Sequence, residues 1–355
     1  MHLDDLRQHL QAHGAGPRHV ERLMGLWAQG PTGPARRLRD DFLPRRVIQA
    51  LPAWEDTLRG LARLRSLHPA EDGSARLLVG LSDGQTVEAV LLPRGGLCVS
   101  SQVGCAVGCV FCMTGRSGLV RQIGSAEMVA QVVLGRRLRA VRKVVFMGMG
   151  EPAHNLDAVL DAIEVLGTQG GLAHKSLVFS TVGDRRVFER LPQGRVRPAL
   201  ALSLHTTDAA LRARLLPRAP AIEPAELVEL GEGYARATGY PIQYQWTMLD
   251  GINDGPDEID GIVRLLAGKY AVMNLIAYNT VEGLAFDRPP AERMAAMVHT
   301  LHRRGVLTKL RQSAGQDVEG GCGQLRARAL GTSERPVSIR PRAAVVAAPS
   351  SVAAE

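Results

Sequence analysis

Three of the five cysteines in this chain fall within eight residues, in the run Cys105-Ala-Val-Gly-Cys109-Val-Phe-Cys112. That spacing suits three thiolates wrapped around one iron–sulfur cube. A cubane 4Fe–4S cluster ordinarily takes four thiolates, so with no fourth cysteine beside the run one iron stays open to bind a substrate or cofactor. Two plainer readings compete with it. A structural zinc site asks for a fourth Cys or His in a paired Cys-x2-Cys arrangement, and three cysteines so close cannot all form disulfides with one another. The run reads as a ligand set, with Cys105, Cys109 and Cys112 on the metal.

Other groups able to do chemistry stand at the ends of expected strands. Gly148-Met149-Gly150-Glu151-Pro152 follows one directly; its glycines let backbone approach a ligand closely, and Glu151 offers an acceptor for an amine. Ser180-Thr181 and Ser203-Leu204-His205 bring hydroxyls and an imidazole to similar positions. Lone cysteines are commonly small buried hydrophobes. Cys98, however, is followed by Ser100-Ser101, and Cys322 sits among Gly320, Gly321 and Gly323, company that a core filler does not need. Glu88, between Val87 and Ala89, reads by itself as a surface carboxylate on a strand.

The elements that must position these groups can be read from periodicity. Leu3, Leu6 and Leu10, then Val20, Leu23, Met24 and Trp27, recur at helical spacing. The Gly30-Pro31-Thr32-Gly33-Pro34 cluster interrupts them before a further helix around 47–61. From about Ala75 short apolar runs flank a hairpin signal at Leu81-Ser82-Asp83-Gly84. Strands are then expected at 143–147, 176–180, 198–204, 241–248, 271–277 and 306–310, with helical patterns between most of them, among them 156–166. Repeated β-α units imply parallel strands with crossover helices and a partial or full barrel with active residues at the carboxyl ends of its strands. The expected division is a helical accessory, RNA-binding unit over 1–74, a catalytic α/β domain over 75–335, and a low-complexity disordered tail over 336–355.

Composition bounds the rest. At 355 residues and 45% hydrophobic content the chain holds one large domain with a smaller companion. Collagenous, mucin-like and disordered classes are excluded. Neither a signal-peptide core nor a membrane-length apolar run is present in the sequence, and the few cysteines suit a reducing compartment, so a cytoplasmic protein is expected. The formal charge of +8 is uneven. Residues 116–143 carry seven bases against the single acid Glu127, and residues 303–342 carry nine bases against three acids. An RNA strand would meet positive charge near the chemistry, with Arg136, Arg137, Arg139, Arg326 and Arg328 as candidate phosphate contacts.

Cys-x3-Cys-x2-Cys is the hallmark of the radical S-adenosylmethionine (radical SAM) enzymes, and more specific motifs accompany it here. Leu97-Cys98-Val99-Ser100-Ser101-Gln102-Val103-Gly104-Cys105, the Gly-Met-Gly-Glu-Pro loop, Ser203-Leu204-His205 and Gly321-Cys322-Gly323-Gln324-Leu325 occur in order. Over roughly 80–330 the chain resembles the RlmN/Cfr methyl synthases, which methylate adenosine at C2 or C8 in 23S ribosomal RNA, some C2 enzymes also acting on transfer RNA. The resemblance implies a partial (β/α) radical SAM barrel with a small amino-terminal helical domain. It also implies one 4Fe–4S cluster per chain, two SAM molecules per turnover, and an electron donor such as flavodoxin or ferredoxin. No membrane partner is expected.

The resemblance further implies roles for single residues. Cys322 takes a methyl group from one SAM, a radical from a second SAM removes hydrogen from that methyl, and the carbon radical adds to adenine. Glu88 is the proton acceptor, and Cys98 resolves the covalent adduct by attacking the sulfur of Cys322, leaving a transient disulfide. Gly150, Glu151, Ser180, Ser203, Leu204, His205 and Asn279 match positions that hold SAM. Tyr278 and Thr280 depart from the usual Trp-Asn-Pro around Asn279, Met113 replaces a small residue, and Ala314 stands in place of a common arginine. C2 is expected ahead of C8 as the commoner family activity. The alternatives are a radical SAM enzyme acting on a peptide or small molecule, which would not need Cys98 and Cys322, and a non-catalytic iron–sulfur RNA-binding protein.

Overall fold

The computed structural model describes residues 1–30, 42–116, 118–281, 283–311 and 323–330. Cys322, Ala314 and the tail from 336 lie outside the described residues. Three helices come first: α1 (Leu3–Ala12), α2 (Pro17–Gln29) and α3 (Arg45–Leu61). Strands β1 (Arg63–Pro69), β2 (Ala75–Gly80), β3 (Thr86–Leu92) and β4 (Gly96–Cys98) follow, then the small pair β5 (Gln102–Gly104) and β6 (Leu119–Gln122) with α4 (Met113–Arg116) between them. Beyond them come α5 (Ser125–Leu138), β7 (Lys143–Phe146), α6 (Leu156–Thr168), β8 (Leu177–Thr181), α7 (Arg185–Arg190) and β9 (Ala199–Ser203). The chain continues through α8 (Ala209–Leu215), α9 (Pro224–Thr238), β10 (Ile242–Met248), α10 (Pro256–Leu266), β11 (Ala271–Ala277), α11 (Ala291–Arg303), β12 (Thr308–Arg311) and α12 (Gln324–Leu330).

Among the described residues one ten-stranded sheet runs β1-β2-β3-β4-β7-β8-β9-β10-β11-β12. Strands β1 to β4 pair antiparallel, and β4 and β7 to β12 run parallel. β1 and β12 are its two edges, so the barrel is partial. The last strand begins at Thr308 rather than 306, which carries Arg311 into the sheet.

Register settles which side chains share a face, because successive residues alternate and paired neighbours point the same way. One face carries Leu97, Val144, Phe146, Leu177, Phe179, Leu200, Leu202, Tyr244, Trp246, Met273 and Leu275, all in the main core with residues of α5, α6, α9, α10 and α11. The opposite, inner face carries Glu88, Val90, Cys98, Val145, Val178, Ser180, Ala199, Ala201 and Ser203. Its side chains are mostly small, and Val90, Cys98, Val145, Val178, Ala199 and Ala201 form a cluster of their own.

The amino-terminal helices share the main core: Leu3, Leu6, Leu10, Val20, Met24 and Trp27 belong to it together with Val129, Val132 and Val133 of α5. Residues 125–136 of α5 are buried on every side, as befits a helix lying between other layers. Arg136 belongs to this packing; it is buried and its guanidinium donates to the carbonyl of Ala28. Arg326 is buried as well, and both are lost as candidate phosphate contacts, whereas Arg137 and Arg328 remain exposed. Among the described residues no helix is long and apolar enough to cross a membrane.

Candidate active site

The three cysteines lie on the loop between β5 and α4. Cys105 N–H donates to Gly118 O at 2.9 Å, and Cys112 N–H donates to Cys109 O at 3.0 Å. Val110 N–H donates to Leu215 O at 3.1 Å, and Arg218 N–H to Val107 O at 3.2 Å, fastening the loop to α8. The cysteines pack with Val107, Phe111, Leu211, Leu215 and Tyr278. Burial in this apolar setting pushes the Cys105 thiol up to about 12, and Cys109 is raised by burial and then by the charges of Cys112 and Cys105. Neighbouring desolvated thiols resist joint ionisation, and a bound cationic centre reverses that balance. No three acidic, histidine or cysteine side chains among the described residues converge on a single-ion site. A cubane offers each thiolate its own iron, so the sulfurs need to be neighbours without meeting at one point, and this donor set fits a cluster.

The loop after β7 is held by side chains of the segment that precedes the cysteines. Ser100 Oγ donates to Glu88 O at 2.6 Å and accepts from Met149 N–H at 2.8 Å. Glu151 N–H donates to Gln102 Oε1 at 2.7 Å. Gly150 has φ +107°, and a Cβ there would lie 2.6 Å from Gln102 Cβ, so the position requires glycine. The buried Glu151 carboxylate accepts from Ala153 N–H at 3.0 Å and Val182 N–H at 2.9 Å. Burial raises its pKa to about 7 against these hydrogen bonds. A buried carboxyl beside the cysteine loop is suited to an ammonium group, whose charge would keep it ionised.

At the ends of β8 and β9, Ser180 and Ser203 lie on the inner face. Leu204 differs: its side chain is in the main core and its N–H donates to Gln245 O at 3.0 Å, so a ligand could meet it only through its carbonyl. His205 adopts φ +63° and stacks edge-on against Phe111 of the cysteine loop, ring centroids 5.0 Å apart. Its Nδ1 accepts from Thr247 N–H at 3.0 Å, and burial, with Arg212 close by, lowers its pKa to about 3. The ring is therefore neutral and carries its proton on Nε2. Asn279 accepts from Arg288 Nη2 at 3.0 Å while its buried Nδ2 has no acceptor among the described residues, which suits a ligand oxygen.

Glu88 is not the surface carboxylate that its neighbours suggest. It and Arg76 of β2 are each 2% exposed and form an ion pair, Arg76 Nη1 donating to Glu88 Oε2 at 3.0 Å. Glu88 Oε1 accepts from the backbone N–H of Arg326 at 2.8 Å. Cys98 pairs in register with Val90, two residues from Glu88, and with Val145. Gly323, next to Cys322, packs so tightly on Thr114 that a Cβ would lie 2.6 Å from its hydroxyl. The described chain beyond Cys322 thus reaches from the end of the cysteine loop to β3.

Sequence reasoning missed Arg76, Ser100, Gln102 and Arg212. The buried Arg212 donates to the carbonyls of Val182 and Ser203 and lies close enough to Cys109 and Glu151 to feel their charges. Ser100 and Gln102 fall inside a quoted motif, which was the available signal; nothing in the sequence marks Arg76 or Arg212 as buried.

Residues 99–266 match the radical SAM superfamily. A protein of Leptothrix cholodnii described as a probable RNA methyltransferase is 70% identical over 346 residues, covering 97% of this chain and 100% of its own length. One of Methylibium petroleiphilum with the same description is 71% identical over 341 residues, 96% of this chain and 97% of its own. The crystal structure of a radical SAM methyltransferase from Sphaerobacter thermophilus superposes with a TM-score of 0.77 at 31% identity, covering 91% of this chain and 97% of that one.

Proposed function

Because the chain belongs to the radical SAM superfamily, in a family whose curated members are described as probable RNA methyltransferases, we propose that it methylates an adenosine carbon of RNA with Cys322 as the methyl carrier. The chain is an enzyme, a radical SAM methyltransferase. The finer reading is the chemistry of the RlmN/Cfr methyl synthases, directed at 23S ribosomal RNA with transfer RNA as a further substrate, at C2 ahead of C8.

The target explains the machinery. Adenine C2 and C8 are electron-poor carbons and offer no effective nucleophile to an electrophilic methyl group. Cys105, Cys109 and Cys112 would hold a 4Fe–4S cluster, which with SAM would supply the one-electron chemistry that activates an otherwise inert methyl group. Glu151 would accept from the amine of SAM, Ser180, Ser203 and the amide N–H of Asn279 would meet its carboxylate and ribose, and Gly150 and the Leu204 carbonyl would line the same loops. His205 stays neutral and holds its loop against Phe111. Cys322 carries the carbon that becomes bonded to the base; the ring carbon being methylated then loses its proton to Glu88 and one electron, which the bound cluster would take up. Cys98 then attacks the sulfur of Cys322. The sulfur–carbon bond breaks, its electron pair passes to the carbon attached to the ring, and a proton completes the methyl group. Cys98 and Cys322 are left as a disulfide, which a dithiol reductant must reduce before the next turnover.

The observation that carries this reading is the position of Glu88: a buried carboxylate on the same face as Cys98 that also holds the helix beginning two residues after Cys322. The test separates the two cysteines in time. Cys322→Ala should form no adduct with RNA and no methylated product. Cys98→Ala should still cleave SAM and then stall as a covalent protein–RNA species, visible on a denaturing gel with labelled RNA and mapped to Cys322 by nuclease digestion and peptide mass spectrometry. Normal turnover of Cys98→Ala would remove the resolving role, and RNA methylation by Cys322→Ala would end the methyl-cysteine mechanism.

A further inference from the structure

The two basic stretches of the sequence meet on the inner face of the sheet. Lys143 opens β7, and Lys309 and Arg311 lie on β12. Register places Ser203, Gln245, Asn274 and Lys309 on one rung, with Arg311 beside Ile276 one rung further along. Lys143 belongs to the same face through Val145. Although β7 and β12 are not neighbours in the sheet, Lys143 lies within reach of both cations: burial and then the charges of Arg311 and Lys309 hold its ammonium below the ordinary lysine range, and among the described residues no carboxylate is one of the groups acting on it. Elsewhere in the described residues lysines and arginines on the surface are commonly paired with acids, as Lys269 is with Glu229 and Arg304 with Asp260.

A second observation on the same rung is independent of charge. Asn274 is 1% exposed, and its Nδ2 has no acceptor among the described residues. Its neighbour Gln245 gives its own amide N–H to Gln243 O at 3.1 Å. A buried amide donor without a partner is costly, and this one stands beside Lys309.

We propose that Asn274, Lys309, Arg311 and Lys143 form a subsite for a phosphodiester of the RNA strand, on the rung that Ser203 shares. A phosphodiester supplies one negative charge to cations that repel one another, and oxygens to an amide that lacks an acceptor among the described residues. The proposal rests on the RNA reading above and adds where the strand passes: along the inner face between the SAM residues and β12. Neither Lys309 nor Arg311 is part of the core, so both can be changed without unfolding the chain.

The test uses the anaerobically reconstituted holoenzyme and single-stranded oligoadenylate, with affinity followed by fluorescence anisotropy across a salt series. Lys309→Gln and Arg311→Gln should each weaken binding about tenfold and flatten the logarithmic salt slope by about one. Lys143→Met should weaken RNA binding yet raise the melting temperature of the RNA-free protein, since it removes a half-buried charge facing two like charges. SAM affinity, measured by calorimetry, should stay within about twofold. A methylphosphonate oligoadenylate, which lacks the backbone charge, should bind wild type and Arg311→Gln alike. A flat salt slope in wild type would remove the RNA reading and the subsite with it. A steep wild-type slope left unchanged in all three variants would overturn the subsite alone, and so would loss of SAM affinity with RNA binding intact, which would make the cations a carboxylate site for SAM.

Discussion

Glu88 and Arg326 meet across 238 positions of the chain, the carboxylate on β3 accepting the backbone N–H of α12 at 2.8 Å. The same carboxylate is paired with the buried Arg76, so one side chain ties together β2, β3 and the helix that follows Cys322.

Because both members of the pair are buried, removing either takes a close counter-charge from the other. Glu88→Leu and Arg76→Met should each destabilise the ligand-free protein by about 3–5 kcal/mol. The double variant Arg76→Met with Glu88→Leu should cost at least about 1 kcal/mol less than the sum. Urea denaturation of the four proteins measures the coupling, and strict additivity would show that the two groups do not depend on each other.

On the proposed reading each of the three loop cysteines is a separate cluster ligand. Cys105→Ala, Cys109→Ala and Cys112→Ala should all fail to retain the cluster, against about four irons per reconstituted wild-type chain. Iron and sulfide analysis decides it; wild-type content in any one variant would remove that residue from the ligand set.

Glu151 predicts a pH dependence of stability in the cluster-free protein. Its carboxyl is raised to about 7 in the folded state from 4.5, so between these values the folded chain holds a proton that the unfolded chain has released. The group's contribution is fully present below about pH 4.5 and is lost as pH rises through about 7, on the order of 3 kcal/mol. Glu151→Gln should abolish this slope. Denaturation midpoints at about pH 5 and about pH 8 compare the two proteins, and an equal slope in both would mean that the proton resides elsewhere.

Gly150 should tolerate no side chain. Gly150→Ala combines a positive φ with a close approach to Gln102, which together cost about 2–5 kcal/mol, and it should displace Glu151, whose N–H Gln102 receives. SAM binding by calorimetry should fall with stability; unaltered binding would mean that the loop does not hold the ligand.

Much of this site is legible along the chain because it is local. The three cysteines are neighbours in sequence, and the Gly-Met-Gly-Glu-Pro loop, Ser180 and Ser203 announce themselves at the ends of apolar runs, where α/β units present their ligands. The order of strands and helices from 143 onward also follows from periodicity, since buried parallel strands and their crossover helices must each bury a defined face. What tertiary structure alone decided is which distant residues share a surface. Glu88 sits between two apolar residues and looks exposed until the register of β2 and β3 puts Arg76 beside it and α12 supplies Arg326. Arg136 and Lys143 come from one basic stretch, yet α5 buries the first against Ala28 while the fold brings the second within reach of Arg311. Charge and residue type are properties of the chain, whereas burial and facing depend on strand register and helix packing, which join residues too far apart in sequence for any local pattern to record.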